Sequence, residues 1–211
     1  MAIKENENNF CEVTGIVEVP PTFSHEIYGE KFYSFTVSSE RLSKSSDLIN
    51  VTISEKLLPE NDDLEIGRKV HIKGQYRSYN NFSGIGSKLI LTLFVKDIDL
   101  VSDEYYTPCN YIELEGYLCK EPIYRVTPFG REITDLLVAV NRIHNKSDYI
   151  PCIVWGRNAK YASGLSVGDK IKLVGRIQSR EYEKKYSEND IVKKTAYEIS
   201  ISKISKSETM I

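Results

Sequence analysis

Residues 111–118 read Tyr-Ile-Glu-Leu-Glu-Gly-Tyr-Leu, apolar side chains alternating with polar ones until Gly116 interrupts them. A period of two is the pattern of a half-buried strand, and a glycine inside it marks a bend or bulge where the strand curls. The stretch has a counterpart 101 positions earlier, where Asn110 meets Asn9, Gly116 meets Gly15 and Pro122 meets Pro21. The register then holds without a gap: Gly29 meets Gly130, Val37 meets Val138, Arg41 meets Arg142, Ser46-Asp47 meets Ser147-Asp148, and Gly74 meets Gly175. Columns 9–79 contain 15 identities in 71. Unrelated sequences of ordinary composition would agree at roughly 6%, about four columns. After Tyr79 the register slips by five, so that Leu91-Thr-Leu-Phe-Val matches Tyr197-Glu-Ile-Ser-Ile. A period near 100 residues is too long for a solenoid unit and reads as a duplicated small domain.

Each copy is a series of strands. In the second, Tyr111–Leu118, Ile133–Asn141, Tyr149–Trp155, Lys170–Tyr182 and Ala196–Ile204 are expected as strands, with Pro128-Phe-Gly130 as a turn and Asn158–Gly164 as a short helical piece. The first repeats the order with Phe10–Val19, Lys31–Ser39, Leu48–Ile53, a turn or short helix near Pro59–Leu64, Lys69–Tyr79 and Lys88–Ile98. Five strands with a short helix between the third and fourth is the layout of an OB-fold barrel. The expected fold is therefore all-β: two tandem five-stranded OB-fold barrels over residues 9–100 and 109–206, joined by a short polar connector.

Composition narrows the function. The 211 residues are 41% hydrophobic with a net charge of −2, which suits a packed globular chain and excludes wholesale disorder. No apolar run reaches the ~18 residues of a membrane span, and the N-terminal MAIKENENNF has no basic-then-apolar leader pattern, so a cytoplasmic, nucleoid-associated protein is expected. The four cysteines form no CxxC pair, and His25, His71 and His144 do not sit at ligand spacing beside them, so neither a metal nor another cofactor is expected. Asp62-Asp63-x-Glu65 lies in a turn without neighbouring histidines, and nucleophile-elbow and phosphate-loop patterns are absent, so no enzyme is expected.

Charge separates the copies. Residues 1–105 carry 11 basic and 17 acidic side chains, a balance of −6, and residues 106–211 carry 17 and 13, a balance of +4. An OB barrel binds on the face of strands two and three and on the loops between strands one and two and between four and five. Single-stranded nucleic acid is held there by cations on its phosphates and rings on its bases. The second copy supplies both. Arg125 and Arg131 flank Phe129 in the first loop; Arg142, His144 and Lys146 end strand two; Tyr149 and Trp155 bracket strand three, and Arg157 follows it. Arg176, Arg180, Tyr182, Lys184 and Lys185 run along strand four into its loop. Plainer readings stand beside these: Trp155 as core, Phe129 as a plug in the barrel end, Lys184-Lys185 as a solvated face. In the first copy Leu48, Ser54 and Asn81 occupy the columns of Tyr149, Trp155 and Tyr182, and Lys31, Tyr33, Arg41, Arg77, Tyr79 and Phe82 are the weaker candidates.

Several blocks occur together in one order: Asn110-Tyr-Ile-Glu-Leu-Glu-Gly-Tyr-Leu118, Glu121-Pro122, Leu137-Val-Ala-Val-Asn-Arg142, Ser147-Asp-Tyr-Ile-Pro-Cys-Ile-Val-Trp-Gly-Arg-Asn-Ala159, Val167-Gly-Asp-Lys-Ile-Lys-Leu-Val-Gly175 and Arg176-Ile-Gln-Ser-Arg-Glu-Tyr182. In combination they resemble bacterial single-stranded DNA-binding proteins over about 100 residues of the second copy and, through the repeat, more faintly the first. The resemblance implies that His144, Tyr149, Trp155 and Tyr182 fall on columns of DNA-stacking aromatics, His144 being the weakest substitution. It implies single-stranded DNA binding with little sequence preference, in replication, recombination or repair. It also implies a homodimer that brings four barrels together. Family members usually end in a flexible linker and an acidic tip that recruits replication and repair proteins. This chain ends Ser205-Lys-Ser-Glu-Thr-Met-Ile211, a departure that puts recruitment through such a tip in doubt while replication or repair proteins stay among the partners the resemblance implies. The alternative is a primosomal or replisome accessory protein acting mainly through protein contacts, a reading that the divergent first copy fits.

Overall fold

The computed structural model describes residues 8–59, 64–81, 89–143, 146–187 and 190–207, without the side chains of 183–187 and 190–193. The first copy contributes β1 (Asn9–Ile27), β2 (Glu30–Glu40), β3 (Ser46–Ser54), β4 (Lys69–Asn80) and β5 (Leu89–Leu100). β1 pairs antiparallel with β2 and β4, β2 with β3, and β4 with β5. Parallel pairing of β3 with β5 at Val51–Leu93 closes the circuit into a five-stranded barrel consistent with an OB-fold. A 3₁₀ turn, Glu55–Leu57, follows β3.

The second copy contributes β6 (Cys109–Leu118), β7 (Ile123–Val126), β8 (Glu132–Asn141), β9 (Ser147–Trp155), α1 (Arg157–Ala162), β10 (Lys170–Ser187) and β11 (Asp190–Lys206). Its pairings trace the same circuit: β6 with β8 and β10, β8 with β9, β10 with β11, and β9 parallel to β11. β7 is an added edge strand on β8. The two circuits share one continuous sheet because β1 pairs antiparallel with β6, from Asn9 opposite Leu114 to Thr14 opposite Cys109. Among the described residues no helix is long and apolar enough to cross a membrane.

The alternation seen in the sequence becomes the inside and outside of these circuits. Val13, Val37, Ile49, Ile72 and Leu93 are buried in the first copy; Leu114, Val138, Ile150, Leu173 and Ile199 are buried in the second. The repeated asparagines finish strand four where pairing with strand one runs out. Asn9 Nδ2 donates to the Tyr76 carbonyl and Asn9 Oδ1 accepts the Tyr76 N–H, both at 2.8 Å. Asn110 brackets Ile177 in the same way at 2.8 and 2.9 Å.

Three strands run well past their expected ends. β1 was expected to stop at Val19 but continues through Pro20-Pro21 to Ile27, and turns into β2 through Tyr28 and Gly29, both at positive φ. Beyond Ile16 β1 has left β4 and keeps only β2, with register shifts along the way. On a strand with one free edge, proline removes no ladder bond. β10 and β11 likewise extend past Tyr182 as a hairpin, pairing Lys184 with Val192 and Lys185 with Ile191 along the backbone, where a loop was expected.

The repeated glycines have a steric reason. A Cβ on Gly116 would sit 2.5 Å from the Ala139 carbonyl oxygen, and one on Gly74 would sit 2.1 Å from that of Phe94. Neither oxygen can retreat without opening the circuit. Gly116→Ala and Gly74→Ala should each lower the unfolding free energy by about 1–3 kcal/mol. Gly164→Ala, whose new Cβ would lie 3.5 Å from the Tyr161 carbonyl oxygen, should change it by less than about 0.5 kcal/mol. Guanidinium unfolding midpoints of the three variants check the contrast.

Candidate nucleic-acid interface

Asp148, Ile150, Cys152 and Val154 of β9 are buried, so the intervening Tyr149 and Trp155 lie on the opposite face. They stand opposite Ala139 and Ile133 of β8. Six residues of strand separate them by roughly 20 Å. Tyr149 is 48% exposed. Trp155 is half-buried, and its indole Nε1 donates to Ser200 Oγ of β11 at 3.2 Å, which fixes the plane of the ring. Trp155 lines a groove of about 680 Å³ with Val126, Gly130, Arg131, Glu132 and Gly156. The turn above it is closed by hydrogen bonds from Thr127 N–H to the Arg131 carbonyl and from Gly130 N–H to the Thr127 carbonyl, both 2.8 Å. Phe129 at its tip is 91% exposed, so the ring stands in solvent.

The cations divide into three groups. Arg131, Lys146 and Arg157 are exposed and make no ion pair among the described residues. Arg125 and Arg180 face carboxylates. Arg125 makes a two-pronged bond to Asp135 at 2.6 and 3.1 Å, and Arg180 Nε lies 4.0 Å from Glu198, with its Cζ 6.0 Å from the ring centre of Tyr182. Burial pushes the Glu198 carboxyl above its ordinary range and Asp135 adds to the rise, while Arg180, Arg125 and a hydrogen bond from Gln178 oppose it. His144 and the side chains of Lys184 and Lys185 lie outside the described residues.

Arg142 and Arg176 form the third group, with Arg41 of the first copy: they join the two copies. Asp47 is fully buried and accepts from Arg41 Nε at 2.7 Å and Arg41 Nη2, from Arg176 Nη1 at 2.7 Å and from the Ser179 N–H at 2.9 Å. Ser179 Oγ in turn accepts the Leu48 N–H at 2.8 Å. The counterpart, 101 residues on, is built alike. Asp148 accepts from Arg142 Nε at 2.5 Å, from Arg142 Nη2 and from the Ser78 N–H at 2.5 Å; Ser78 Oγ accepts the Tyr149 N–H at 2.8 Å. Arg142 Nη2 also donates to the Ser78 carbonyl at 3.1 Å. Strand four of each copy is thus gripped by the start of strand three of the other.

The first copy presents a different surface. Its matching face is a groove of about 310 Å³ whose polar lining is Thr22, Ser34, Thr36, Asn50, Thr52 and Thr92, with no charged side chain. Tyr33 packs edge-on against Phe23 at 6.1 Å. Arg77 lies 3.7 Å over the Phe94 ring, and Tyr79 sits under Arg142 at 5.1 Å. Lys31 is exposed and makes no ion pair among the described residues, and Phe82 lies outside them.

The structure therefore gathers Phe129, Arg131 and Trp155 at one end of β9 and sets Tyr149 at the other. It draws Arg41, Arg142 and Arg176 away into the joint. Sequence reasoning passed over Asp135 and Glu198, whose only signal was a charge inside an otherwise strand-like run. It also passed over Ser78 and Ser179, whose signal was identity at matching columns.

The Single-strand binding protein family model matches residues 109–207. A single-stranded DNA-binding protein of Clostridium tetani (strain Massachusetts / E88) is 40% identical over 83 residues, covering 36% of this chain and 57% of that protein. The chain spans about half the length of the curated relatives it matches. Among solved structures, the wild-type single-stranded DNA binding protein from Thermus aquaticus has a TM-score of 0.74 at 18% identity over 95% of this chain and 93% of that one, a likeness of fold. The dimeric N-terminal domain of PriB protein from Thermoanaerobacter tencongensis is 46% identical over 46% of this chain and all of that one, with a TM-score of 0.41.

Glu198 yields a pH prediction. A carboxyl whose folded pKa lies above its ordinary 4.5 favours folding below that value and loses the contribution as pH rises through the folded pKa. Glu198→Gln should therefore melt at a higher temperature than the natural chain at pH 7.5, and the difference should shrink at pH 4. Thermal melts of both proteins at the two pH values decide it, and an unchanged difference would remove Glu198 as the cause.

Proposed function

We propose that this chain, whose residues 109–207 belong to the single-strand binding protein family, binds single-stranded DNA and is not an enzyme. In this reading two OB-fold barrels, 9–100 and 109–206, lie in tandem, each with a short helical piece after its third strand. Binding shows little sequence preference, because any base has a face that a ring can stack on. Tyr149, Trp155 and Tyr182 stack on bases, with Phe129 adding a ring at the loop tip. Arg131, Lys146 and Arg157 take phosphates first; Arg125 can follow, because an exposed ion pair holds it by only about 0–1 kcal/mol, and so can Arg180, which stands 4.0 Å from Glu198, beyond hydrogen-bond reach. His144, Lys184 and Lys185 belong to the same surface on sequence grounds. Arg142 and Arg176 are left to the joint between the copies. A homodimer would bring four barrels together, and the settings are replication, recombination and repair.

The observation that carries this reading is the outer face of β9. Its two rings, one half-exposed and one fixed beside Arg131, which makes no ion pair among the described residues, lie within the stretch that matches the family. A second reading, a replisome accessory protein working through protein contacts, draws on the uncharged groove of the first copy. Titration of the intact chain with labelled oligo-dT, duplex DNA and poly-U separates the two. The first reading expects oligo-dT far ahead of duplex, and the second expects no such preference.

Replacing Tyr149, Trp155 or Tyr182 with Ala should weaken oligo-dT binding by roughly 1–3 kcal/mol each. Arg131→Ala should weaken it evenly across sequences and lower the salt slope by about one unit. Unchanged affinity in all three ring variants removes the stacking assignment, and a flat salt response removes phosphate tracking.

A further inference from the structure

Tyr149 lies next to a buried carboxylate, on a strand edge that its own barrel leaves open. β11 reaches β9 only at Cys152–Val154. N-terminal to that contact, the edge of β9 is held from the first copy, where Ser78 Oγ accepts the Tyr149 N–H at 2.8 Å. One residue earlier, Asp148 turns inward to Arg142 and to the Ser78 N–H. With Asp148 fixed on the inner side and the Tyr149 N–H fixed to Ser78, the alternation of the strand sends the tyrosine ring outward. At the opposite end of the joint, Asp47 and Leu48 grip Ser179, the residue before Arg180.

We infer that the first copy serves nucleic-acid binding by orienting the second, with Ser78 as a positioning residue for the ring of Tyr149. The inference rests on the reading of Tyr149 as a base-stacking residue. It gives the duplicated Arg, Asp and Ser columns a role without requiring the first copy to touch the ligand. Leu48 stands in the column of Tyr149, so the same grip in the first copy carries no ring. The two copies are thus unequal in work although alike in construction: one holds and the other stacks.

A double-mutant cycle on the full chain tests this, read as oligo-dT affinity at fixed salt with thermal melts alongside. Ser78→Ala removes one acceptor and leaves every proposed ligand contact in place. It should weaken binding roughly two- to tenfold. On a Tyr149→Ala background it should add little, because the ring it orients is gone; on a Tyr182→Ala background its full loss should persist. Natural affinity in Ser78→Ala, or an equal loss on both backgrounds, overturns the inference while leaving the stacking reading intact. Natural affinity in Tyr149→Ala overturns both. Should Ser78→Ala melt below the assay temperature, Ser78→Cys, similar in size with a weaker acceptor, takes its place in the cycle with the same readings.

Discussion

Asp47 and Asp148 carry their charges where water does not reach, and the two halves of the chain meet around them. A buried carboxylate is tolerated only when its lone pairs are filled, and removing one partner of such a pair costs about 3–5 kcal/mol. Here the donors come from both copies. Each aspartate takes an arginine of its own half and a backbone N–H from strand four of the other, and Asp47 also takes Arg176 of the other half. Neither carboxylate can be satisfied within one copy, so the relative placement of the halves follows from meeting that demand. The pairing of β1 with β6 adds a second constraint across the same joint. The outward residues of β9 and β10 inherit their positions from these contacts.

The joint changes how the charge of the second copy should be counted. Its balance of +4 includes Arg142 and Arg176, both bound to buried aspartates. Drawing Arg142 to a phosphate would strand Asp148 at the cost just given, more than one phosphate contact returns. Arg125 and Arg180 are different: the Arg125–Asp135 pair is exposed and worth about 0–1 kcal/mol, and Arg180 lies 4.0 Å from the largely buried Glu198, too far for a hydrogen bond. They can exchange a carboxylate for a phosphate at little loss. The field available to a polyanion is therefore smaller and more local than net charge suggests.

The fold was readable because duplication prints the same constraints twice. Gly74 and Gly175 coincide in sequence because each lies against a carbonyl that leaves no room for a Cβ. Asn9 and Asn110 coincide because each replaces a missing ladder partner. The same clarity left the arginines open to two readings. Arg41 and Arg142 stand in one column, and repetition of a charged residue fits ligand contact as well as it fits a joint. Only Asp47/Asp148 and Ser78/Ser179, repeated at linked columns, distinguish the two, and they do so once strand four is seen to cross to the other copy. Strand ends were less legible. Pro20-Pro21 signals a break, yet β1 continues because one of its edges is already free there. Glu198 gave no warning, because its burial depends on β10 and β9 packing beside it.

One transposition makes the two ends of the joint unequal. The first copy reads Gln75-x-Arg77 where the second reads Arg176-x-Gln178. In both, an arginine Nη2 donates to the glutamine Oε1, at 3.0 and 2.9 Å. Arg176 also reaches Asp47, which is then met by two guanidinium groups. Arg77 instead lies over Phe94, and among the described residues its Nε has no partner and Arg142 is the one guanidinium on Asp148. The end of the joint with the single guanidinium is the one that carries Tyr149. A ligand that binds only the closed arrangement of that end stabilises it in proportion to its own affinity. On the proposed reading of Tyr149, a ligand stacked on that ring would support the Asp148 end through this linkage, whereas the doubly held Asp47 end has less need of such support.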